Sequence, residues 1–316
     1  MCTALIHQNF FGRTLDLEHS YQEQVVVVPR RFPLPFRMEE PTSEHYAMIG
    51  MAHVESDFPL FYDGMNEVGL AVAALNFPCS GRYRPKQDSA VNLASFEVIP
   101  RVLGRCATVP QARQLLERVN VVGLDFNPRL PATPLHWIIA DNTSCLVAEP
   151  TADGLLLYEN PVGVLTNEPP FPFHLARLND LLFLSSYPAR NQFAPSLPLT
   201  AYSRGMGAMG LPGDWSSQSR FARCAFAAHN SSTPCDVTQF FHLMSTVEVP
   251  RGCVRLEDGK EVTSIYTSCC DLTGGIYHYV TYTNRQIAAV DLHRCNLEGN
   301  RLFSFPLRHF SIDYQN

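Results

Sequence analysis

Charge and long apolar runs are both scarce in this sequence of 316 residues. Only 17% of the residues are charged, and no stretch approaches the roughly 18 consecutive apolar residues that a membrane span requires. The chain starts Met1-Cys2-Thr3 with neither a basic segment nor a sustained apolar one, so it lacks the pattern of a secretion signal. We therefore expect a folded protein of the cytoplasm that does not bind a membrane.

A basic surface for nucleic acid is also missing. The formal net charge is −6, and Lys and Arg are scattered singly or in pairs such as Arg30-Arg31. Since a polyphosphate backbone needs clustered positive charge, nucleic acid is not an expected partner. The ten cysteines include no CxxC spacing, and no Gly-rich phosphate loop is present, so we expect reduced thiols, no metal and no cofactor.

Apolar periodicity predicts strands that alternate with pairs of helices. Strands are predicted at 24–28, 45–53, 69–77, 135–140, 145–149, 154–158, 163–166, 264–268, 276–283 and 286–291. Asp63-Gly64 and Asn66 predict a turn between two of the early strands, and the four strands from 135 to 166 suggest a second run of antiparallel sheet. Helices are predicted at 92–103, at 217–228, at 237–246 and from about Thr108, a plausible N-cap.

This order of elements predicts the architecture. Strands, two helices, strands, two helices and again strands favour two stacked antiparallel sheets with helices on both outer faces, an α+β protein with four αββα layers. No repeat or linker divides the chain, so we expect a single domain over residues 1–316. Residues 183–212 are rich in proline and have little periodicity, which predicts an irregular loop of the kind that serves assembly or a site.

Cys2 is the first candidate for chemistry. If Met1 is removed, the thiol of Cys2 becomes a nucleophile whose own α-amine can accept and return a proton near neutral pH. Arg13 and Asp16 follow the first strand and would lie near Cys2 if the strands form a hairpin, so that a guanidinium faces the thiol and a carboxylate orients the amine. The simpler alternatives are an incidental thiol on an edge strand and a surface ion pair.

Two asparagines could stabilise an oxyanion. Asn76 and Asn167 each follow an apolar strand, where an amide side chain or a backbone N–H can face developing negative charge. On spacing alone they are equally well explained as turn-forming residues. A cysteine–histidine dyad is a competing arrangement for which His7, His53 and His136 are candidates, but their spacing selects none of them.

Several short motifs occur in one order along the chain. They are Cys2-Thr3, Gly12-Arg13 with Asp16, Asp63-Gly64-Met65-Asn66-Glu67 with Gly69-Leu70, Leu75-Asn76-Phe77-Pro78, Leu165-Thr166-Asn167, and Leu211-Pro212-Gly213-Asp214 with Ser219-Arg220-Phe221. From Cys2 to at least Tyr282 the sequence resembles the choloylglycine hydrolase family. That family contains the bile salt hydrolases and penicillin V acylases, which are N-terminal-nucleophile amidases of αββα fold.

The resemblance implies a role for each matching residue. Cys2 would be the nucleophile, Asp16 would bind its amine and Arg13 would sit beside the thiol. Asn76 and Asn167 would form the oxyanion hole, and we give Arg220 a supporting electrostatic role. Family members are often homotetramers, so a homo-oligomer is expected, with the 183–212 loop a candidate for assembly.

The resemblance also suggests a substrate. Bile salt hydrolases tend to carry asparagine where Asn76 stands, which favours a glycine- or taurine-conjugated bile salt over penicillin V or an acyl-homoserine lactone, the two alternative substrates of the same mechanism. A steroid needs a broad apolar wall. The candidates for that wall are Leu15, Tyr21, Phe58, Phe61, Leu130 and Leu135. A catalytically silent binding protein on the same fold is the alternative from another class.

Overall fold

The computed structural model describes residues 1–42 and 44–308. The strands in these ranges are β1 (Cys2–His7), β2 (Phe10–Leu17), β3 (Gln24–Val28), β4 (Met48–Glu55), β5 (Phe58–Asn66), β6 (Ala71–Asn76), β7 (Val91–Ala94), β8 (Val119–Val122), β9 (Leu135–Ala140), β10 (Cys145–Thr151), β11 (Gly154–Glu159), β12 (Val164–Leu165), β13 (Thr263–Asp271), β14 (Ile276–Thr281), β15 (Ala288–Asp291) and β16 (Phe303–Pro306). The α-helices are α1 (Val98–Arg105), α2 (Val109–Leu116), α3 (Phe171–Arg177), α4 (Ser217–Asn230) and α5 (Val237–Ser245). Short 3₁₀ turns lie at Ser95–Glu97, Leu178–Leu181, Met206–Ala208 and Leu292–Arg294.

Two antiparallel sheets form the centre of the fold. One has six strands in the order β12-β1-β2-β13-β14-β15, and the other has eight in the order β11-β10-β9-β6-β5-β4-β3-β16. The helices α4 and α5 pack on strands of the six-stranded sheet, whereas α1 and α2 pack on the eight-stranded sheet. The predicted four-layer αββα sandwich of α+β class is therefore confirmed.

The side chains of β3 pack alternately into two different apolar cores. Val25 and Val27 belong to the apolar cluster between the sheets, while Val26 and Val28 belong to the cluster under α1 and α2. Successive side chains of a strand point to opposite faces, so a continuous run of valines lets one strand contribute to both cores.

None of the helices within residues 1–42 and 44–308 has the length and apolar content that crossing a membrane requires.

Three sequence predictions need correction. The predicted helix at 92–103 begins only at Val98, because Val91–Ala94 pairs in parallel with Val119–Val122. Asp63-Gly64 does not form a turn but lies in β5, an unpredicted strand, whereas Asn66 ends β5 and its carbonyl accepts from the N–H of Gly69 in the turn before β6. The strands at 135–158 do not start a separate sheet, because β9 pairs with β6 and so extends the sheet of the first quarter, and only β12 joins the other sheet.

The hairpin of β1 and β2 sets up the functional site. Its register places Cys2 opposite Leu15 and Ala4 opposite Arg13. Gly12 allows β2 to approach β13 closely, since a Cβ at this position would lie 1.9 Å from the carbonyl oxygen of Ser268. Only glycine fits there, and the close approach brings Arg13 into the space between the sheets.

Candidate active site

Cys2 lies buried at the start of β1, with 2% of its surface exposed. Its backbone N–H donates to Oδ1 of Asn167 at 2.9 Å, and its thiol sulfur accepts a hydrogen bond from Nη2 of Arg13. Met1 precedes it, and the Met1 ammonium group donates to the backbone carbonyl of Asp16 at 2.6 Å. Thus a nucleophilic side chain is held in place through both its backbone and its sulfur atom.

Arg13 is 1% exposed and connects the two sheets. The pairing of β5 with β6 ends at Asp63 and Ala73, and the Arg13 guanidinium donates to the next two carbonyls, those of Tyr62 (3.1 Å) and Ala74. Its Nε donates to the carbonyl of Thr14 at 3.2 Å. Burial disfavours the charged guanidinium, but the nearby acidic groups outweigh burial and raise the pKa of Arg13. These groups are Cys2, Tyr266, Asp63 and Asp16.

Asp16 is fully buried at the end of β2. Its carboxylate accepts hydrogen bonds from the hydroxyls of Thr14 at 3.0 Å and Ser264 at 2.6 Å. Its backbone N–H donates to the carbonyl of Met1 at 3.0 Å, and its carbonyl accepts from the Met1 ammonium. The structure therefore brings Asp16 beside the start of β1, as the hairpin predicts.

Asn167 follows β12 and joins several parts of the site. Its Oδ1 accepts from the backbone N–H of Cys2 and from Nη2 of Arg220 at 2.7 Å, while its Nδ2 donates to the carbonyl of Asn76 at 2.9 Å. Its backbone N–H donates to the hydroxyl of Ser217 at 2.8 Å. An amide group has two N–H hydrogens, so the second hydrogen on Nδ2 stays available for another acceptor.

Arg220 projects from the first turns of α4 and is fully buried. Its guanidinium donates to the carbonyl of Cys2, to the hydroxyl of Thr3 at 2.6 Å and to Asn167, and its Nε donates to the carbonyl of Trp215 at 3.0 Å. Burial lowers the pKa of Arg220, against the opposing influence of Asp16 and Cys2. All its named partners are acceptors, so the side chain places a fixed positive charge behind Cys2.

Asn76 ends β6 at the edge of the same site. The N–H of Phe77 donates to the carbonyl of Pro134, on the β9 side of the strand. Since the hydrogen-bonding groups of successive strand residues point to opposite sides, the N–H of Asn76 points away from β9, as the Arg13-bound carbonyl of Ala74 does. Among the described residues, the Asn76 side-chain amide forms no hydrogen bond.

Cys2, Arg13 and Asn76 all line one cavity of about 360 Å³. Five of the six predicted wall residues also line it; they are Leu15, Tyr21, Phe61, Leu130 and Leu135. Phe58 does not, because its ring packs behind Phe96 and Phe126 with centroid distances of 5.7 Å to each. The cavity is thus a largely apolar chamber with the thiol on its wall.

The comparison with known proteins agrees with this geometry. Residues 2–305 match the family model described as linear amide C–N hydrolases, choloylglycine hydrolase family. The chain belongs to this family. The resemblance seen in the sequence is therefore confirmed, and the chain is a linear amide C–N hydrolase.

Relatives in the choloylglycine hydrolase family match along 90% or more of their length. The bile salt hydrolase/transferase of Lactiplantibacillus plantarum is 44% identical over 98% of this chain and 97% of its own, and that of Clostridium perfringens is 35% identical over 100% of both. The crystal structure of the mutant C2A conjugated bile acid hydrolase from Clostridium perfringens superposes with a TM-score of 0.94 at 34% identity, covering 100% of both chains. Penicillin V acylase from Agrobacterium tumefaciens, at 20% identity and a TM-score of 0.74, covering 96% of this chain and 90% of its own, shares the fold.

The histidines weighed as dyad partners have other partners than Cys2 in this family member, although His53 lines the same cavity. His7 is at the far end of β1, where its Nε2 is 3.2 Å from the hydroxyl of Ser231. His53 faces Glu55 at 3.6 Å, and His136 is fully buried among other partners. Within residues 1–42 and 44–308 no histidine forms a hydrogen bond with Cys2.

Part of the cavity wall was not predicted. Phe96 and Phe126 pack edge to face at 5.2 Å and line the chamber together with His53, Leu60 and Arg129. Phe96 precedes α1, where the periodicity suggested an ordinary core position. An aromatic residue between Asp125 and Asn127-Pro128 was the available signal for Phe126, since a loop this polar has little other use for a phenyl ring.

Proposed function

We propose that this enzyme hydrolyses the amide bond between a bile acid and glycine or taurine, with the thiol of Cys2 as nucleophile. The observation that carries the proposal is the buried Cys2 on the wall of an apolar cavity, with Arg13 at its sulfur and Asn167 at its nitrogen. The relatives named bile salt hydrolase/transferase and conjugated bile acid hydrolase, aligned over nearly the whole chain, support the same substrate class.

Removal of Met1 is the first requirement of this mechanism. It would turn the Cys2 nitrogen into a free α-amine, which Oδ1 of Asn167 already faces at 2.9 Å. We assign Asp16 to bind that amine, because its buried carboxylate lies on the paired strand and its carbonyl accepts from the Met1 ammonium. An amine with a pKa near ~8 can take the thiol proton at neutral pH.

The reaction then proceeds in two halves. The Cys2 thiolate attacks the amide carbon, and the carbonyl oxygen becomes an oxyanion for which we propose two donors, the N–H of Asn76 and the second Nδ2 hydrogen of Asn167. The C–N bond breaks as the α-ammonium returns its proton to the departing glycine or taurine. Water, losing a proton to the same amine, hydrolyses the thioester and releases the bile acid.

The two arginines favour the charged species in this scheme. Arg13 contacts the sulfur atom and stabilises the thiolate, since a cation beside a thiol favours its ionised form. Arg220 contacts the Cys2 carbonyl and Asn167 rather than the sulfur, so its role is electrostatic support and orientation. Neither residue transfers a proton.

The substrate preference rests on the cavity wall. We propose that Leu15, Tyr21, Phe61, Leu130 and Leu135 contact the steroid, because they line the chamber with the thiol. By the resemblance to bile salt hydrolases, Asn76 favours a bile salt over penicillin V. The acyl groups of a bile salt, of penicillin V and of an acyl-homoserine lactone differ in shape, so the ratio of kcat/KM values separates the three substrates.

The test is parallel hydrolysis under reducing conditions. Purified protein whose intact mass shows that Met1 is absent would be given glycocholate, taurocholate, penicillin V and an acyl-homoserine lactone, and the released amine measured. Larger kcat/KM for the bile salts is the expected result. Preference for another acyl group would overturn the substrate, and binding of bile salt without amine release would favour a silent binding protein.

We further propose a homotetramer of single-domain chains, residues 1–316, in the cytoplasm. The loop from 183 to 212 supports an oligomer, since it exposes Phe193 by 86%, Tyr202 by 83% and Tyr187 by 77%. Several exposed aromatic side chains within one loop are typical of protein–protein contacts. One apolar cluster that contains residues of both sheets supports the single domain.

A further inference from the structure

Two buried histidines hold the backbone just before and at Asn167. Nε2 of His136, on β9, lies 3.0 Å from the carbonyl oxygen of Thr166, and Nε2 of His174, on α3, lies 3.0 Å from the carbonyl oxygen of Asn167. A carbonyl oxygen only accepts, so each of these nitrogens must carry a hydrogen. The two rings are 0% and 1% exposed and are therefore part of the interior.

His174 meets this requirement as a neutral ring. Its other nitrogen, Nδ1, is buried and has no hydrogen-bond partner among the described residues. Burial lowers the pKa of His174 to about 4, ahead of smaller contributions that include repulsion from His136 and Arg220. One hydrogen, on Nε2, is therefore enough for the contact that His174 makes.

His136 faces acceptors on both sides. Its Nδ1 lies 3.1 Å from Oε1 of Glu149, while its Nε2 faces the Thr166 carbonyl. A neutral imidazole has only one N–H and cannot donate to both. The neutral alternative would place the proton on Oε1 of Glu149, but both oxygens of this carboxyl group already accept from the N–H of Phe171, at 3.0 and 3.2 Å, which favours an ionised carboxylate.

The stacking of His136 on Phe77 is compatible with either protonation state, because the neutral ring of His174 also stacks on a phenyl ring, that of Phe221, at 4.8 Å and 21°. The phenyl ring of Phe77 stacks on His136 with a centroid distance of 4.4 Å and an interplanar angle of 9°. Of the charged and titratable groups around this ring, Glu149 on β10 is the hydrogen-bonded counter-charge, and His174 on α3 is neutral.

We propose that His136 is a positioning residue, a buried imidazolium paired with Glu149 that fixes the Thr166 carbonyl and so orients Asn167 for the oxyanion. This inference rests on the role proposed for Asn167. A charge-assisted bond at this point is well placed, because Asn167 must face Cys2, Arg220 and the carbonyl of Asn76 at once. A displacement of about 1 Å in such a group can lower the rate about 100-fold.

The protonation state can be read in the wild-type protein. At about pH 8 an ordinary histidine, with a pKa near ~6.5, is neutral. His45 also faces carbonyl oxygens at both of its ring nitrogens, so the His136 resonances must be assigned first, through their contact with the Phe77 ring. In protein labelled with ¹⁵N-histidine we expect the assigned His136 ring to be protonated at both nitrogens, and the buried His174 ring to be protonated at Nε2 alone. A His136 ring that carries a hydrogen on only one nitrogen at this pH would overturn the proposal. This measurement needs no variant and no activity.

The positioning role is tested with Glu149→Gln, which keeps an acceptor but removes the charge. The expected result is a kcat at least about 10-fold lower with KM within about 2-fold, loss of the imidazolium signal, and an unchanged rate of Cys2 alkylation by iodoacetamide. Glu261→Gln is the matched control, because its carboxylate pairs with Arg255 on the surface.

The outcomes separate the two proposals. An unchanged kcat in Glu149→Gln, or a fall in kcat accompanied by an equal loss of Cys2 alkylation, would contradict the positioning role. If wild-type protein lacking Met1 hydrolysed no conjugated bile salt, the proposed function would fail, while the ¹⁵N spectrum would still decide whether His136 is charged. If Glu149→Gln did not fold, the wild-type spectrum alone would decide the protonation state.

Discussion

Buried charge dominates the surroundings of Cys2. Arg13, Arg220 and Asp16 have at most 1% of their surfaces exposed, and each is bonded by several protein groups. Burial of a charge is tolerated only when hydrogen bonds replace its water. The site is therefore rigid, and a substitution in it should change chemistry more than substrate affinity.

The thiol itself is the first residue to test. Cys2→Ser should lower the rate of amine release to background, because an alcohol is far less acidic than a thiol and the α-amine cannot ionise it at neutral pH. Cys253→Ser is the control, since that cysteine is exposed and lies outside the cavity. Full activity in Cys2→Ser would exclude the proposed nucleophile.

Asn167 is expected to act on kcat. Asn167→Ala removes the proposed side-chain donor to the oxyanion, so kcat should fall by roughly 10²–10³-fold, the usual loss for one such donor. KM should change much less. Asn230→Ala, at the exposed end of α4, is the matched control. If Asn167→Ala changed kcat and KM no more than Asn230→Ala does, the oxyanion role of Asn167 would be contradicted.

The lowered pKa of His174 predicts that the folded protein becomes less stable in acid. Its pKa is lowered by burial to about 4 in the folded chain, whereas an unfolded histidine has a pKa near ~6.5. The unfolded state therefore binds a proton first, and stability is lost as the pH falls from about 6.5 toward 4. Between about pH 7.5 and pH 5 the loss from this residue is about 2 kcal/mol.

Urea denaturation at these two pH values measures that loss. His174→Gln should lose less stability than the wild type over the interval, because it has no proton to bind there. Equal acid sensitivity of the two proteins would mean that His174 is not the group responsible.

At the scale of elements, locally encoded features were predictable from the sequence. The start of α2 is one, because Thr108 accepts from the N–H of Gln111 and Pro110 lies in the first turn, as the sequence predicts. The bounds of β3 and β9 also match, since their apolar runs are uninterrupted. Long-range pairing was not predictable: β7 joins β8, and β16 joins β3 from the other end of the chain.

The same distinction applies to the site. The hairpin that brings Cys2, Arg13 and Asp16 together follows from sequence neighbours. The side chain of Phe58 is apolar and would suit the cavity wall, but two other phenylalanines separate it from the cavity. Which of the three rings faces the cavity is decided only by three-dimensional packing.

The N-cap of α2 allows a test of folding stability that should not affect catalysis. Thr108→Ala removes the hydroxyl that accepts from Gln111 and should lower the free energy of unfolding by about 1 kcal/mol. The value of kcat should stay the same, because α2 packs on the outer face of the eight-stranded sheet. Ser89→Ala, at an exposed loop residue, should change neither quantity.

At the scale of the whole molecule, the loop from 183 to 212 predicts assembly. The double substitution Phe193→Asp and Tyr202→Asp should shift the mass seen by light scattering from four chains toward one, because charges would replace the most exposed aromatic side chains. Leu156→Asp is the control, an exposed apolar residue on β11. A wild-type protein that is already monomeric would refute the tetramer.

In the proposed mechanism Cys2, freed from Met1, forms a thioester with a bile acid. Mass spectrometry of peptides from protein quenched with acid during turnover of glycocholate detects this intermediate. The expected result is an N-terminal peptide that begins at Cys2 and carries the mass of the cholyl group. Turnover of glycocholate by a chain that retains Met1 and carries no acyl group on Cys2 would rule out the proposed mechanism.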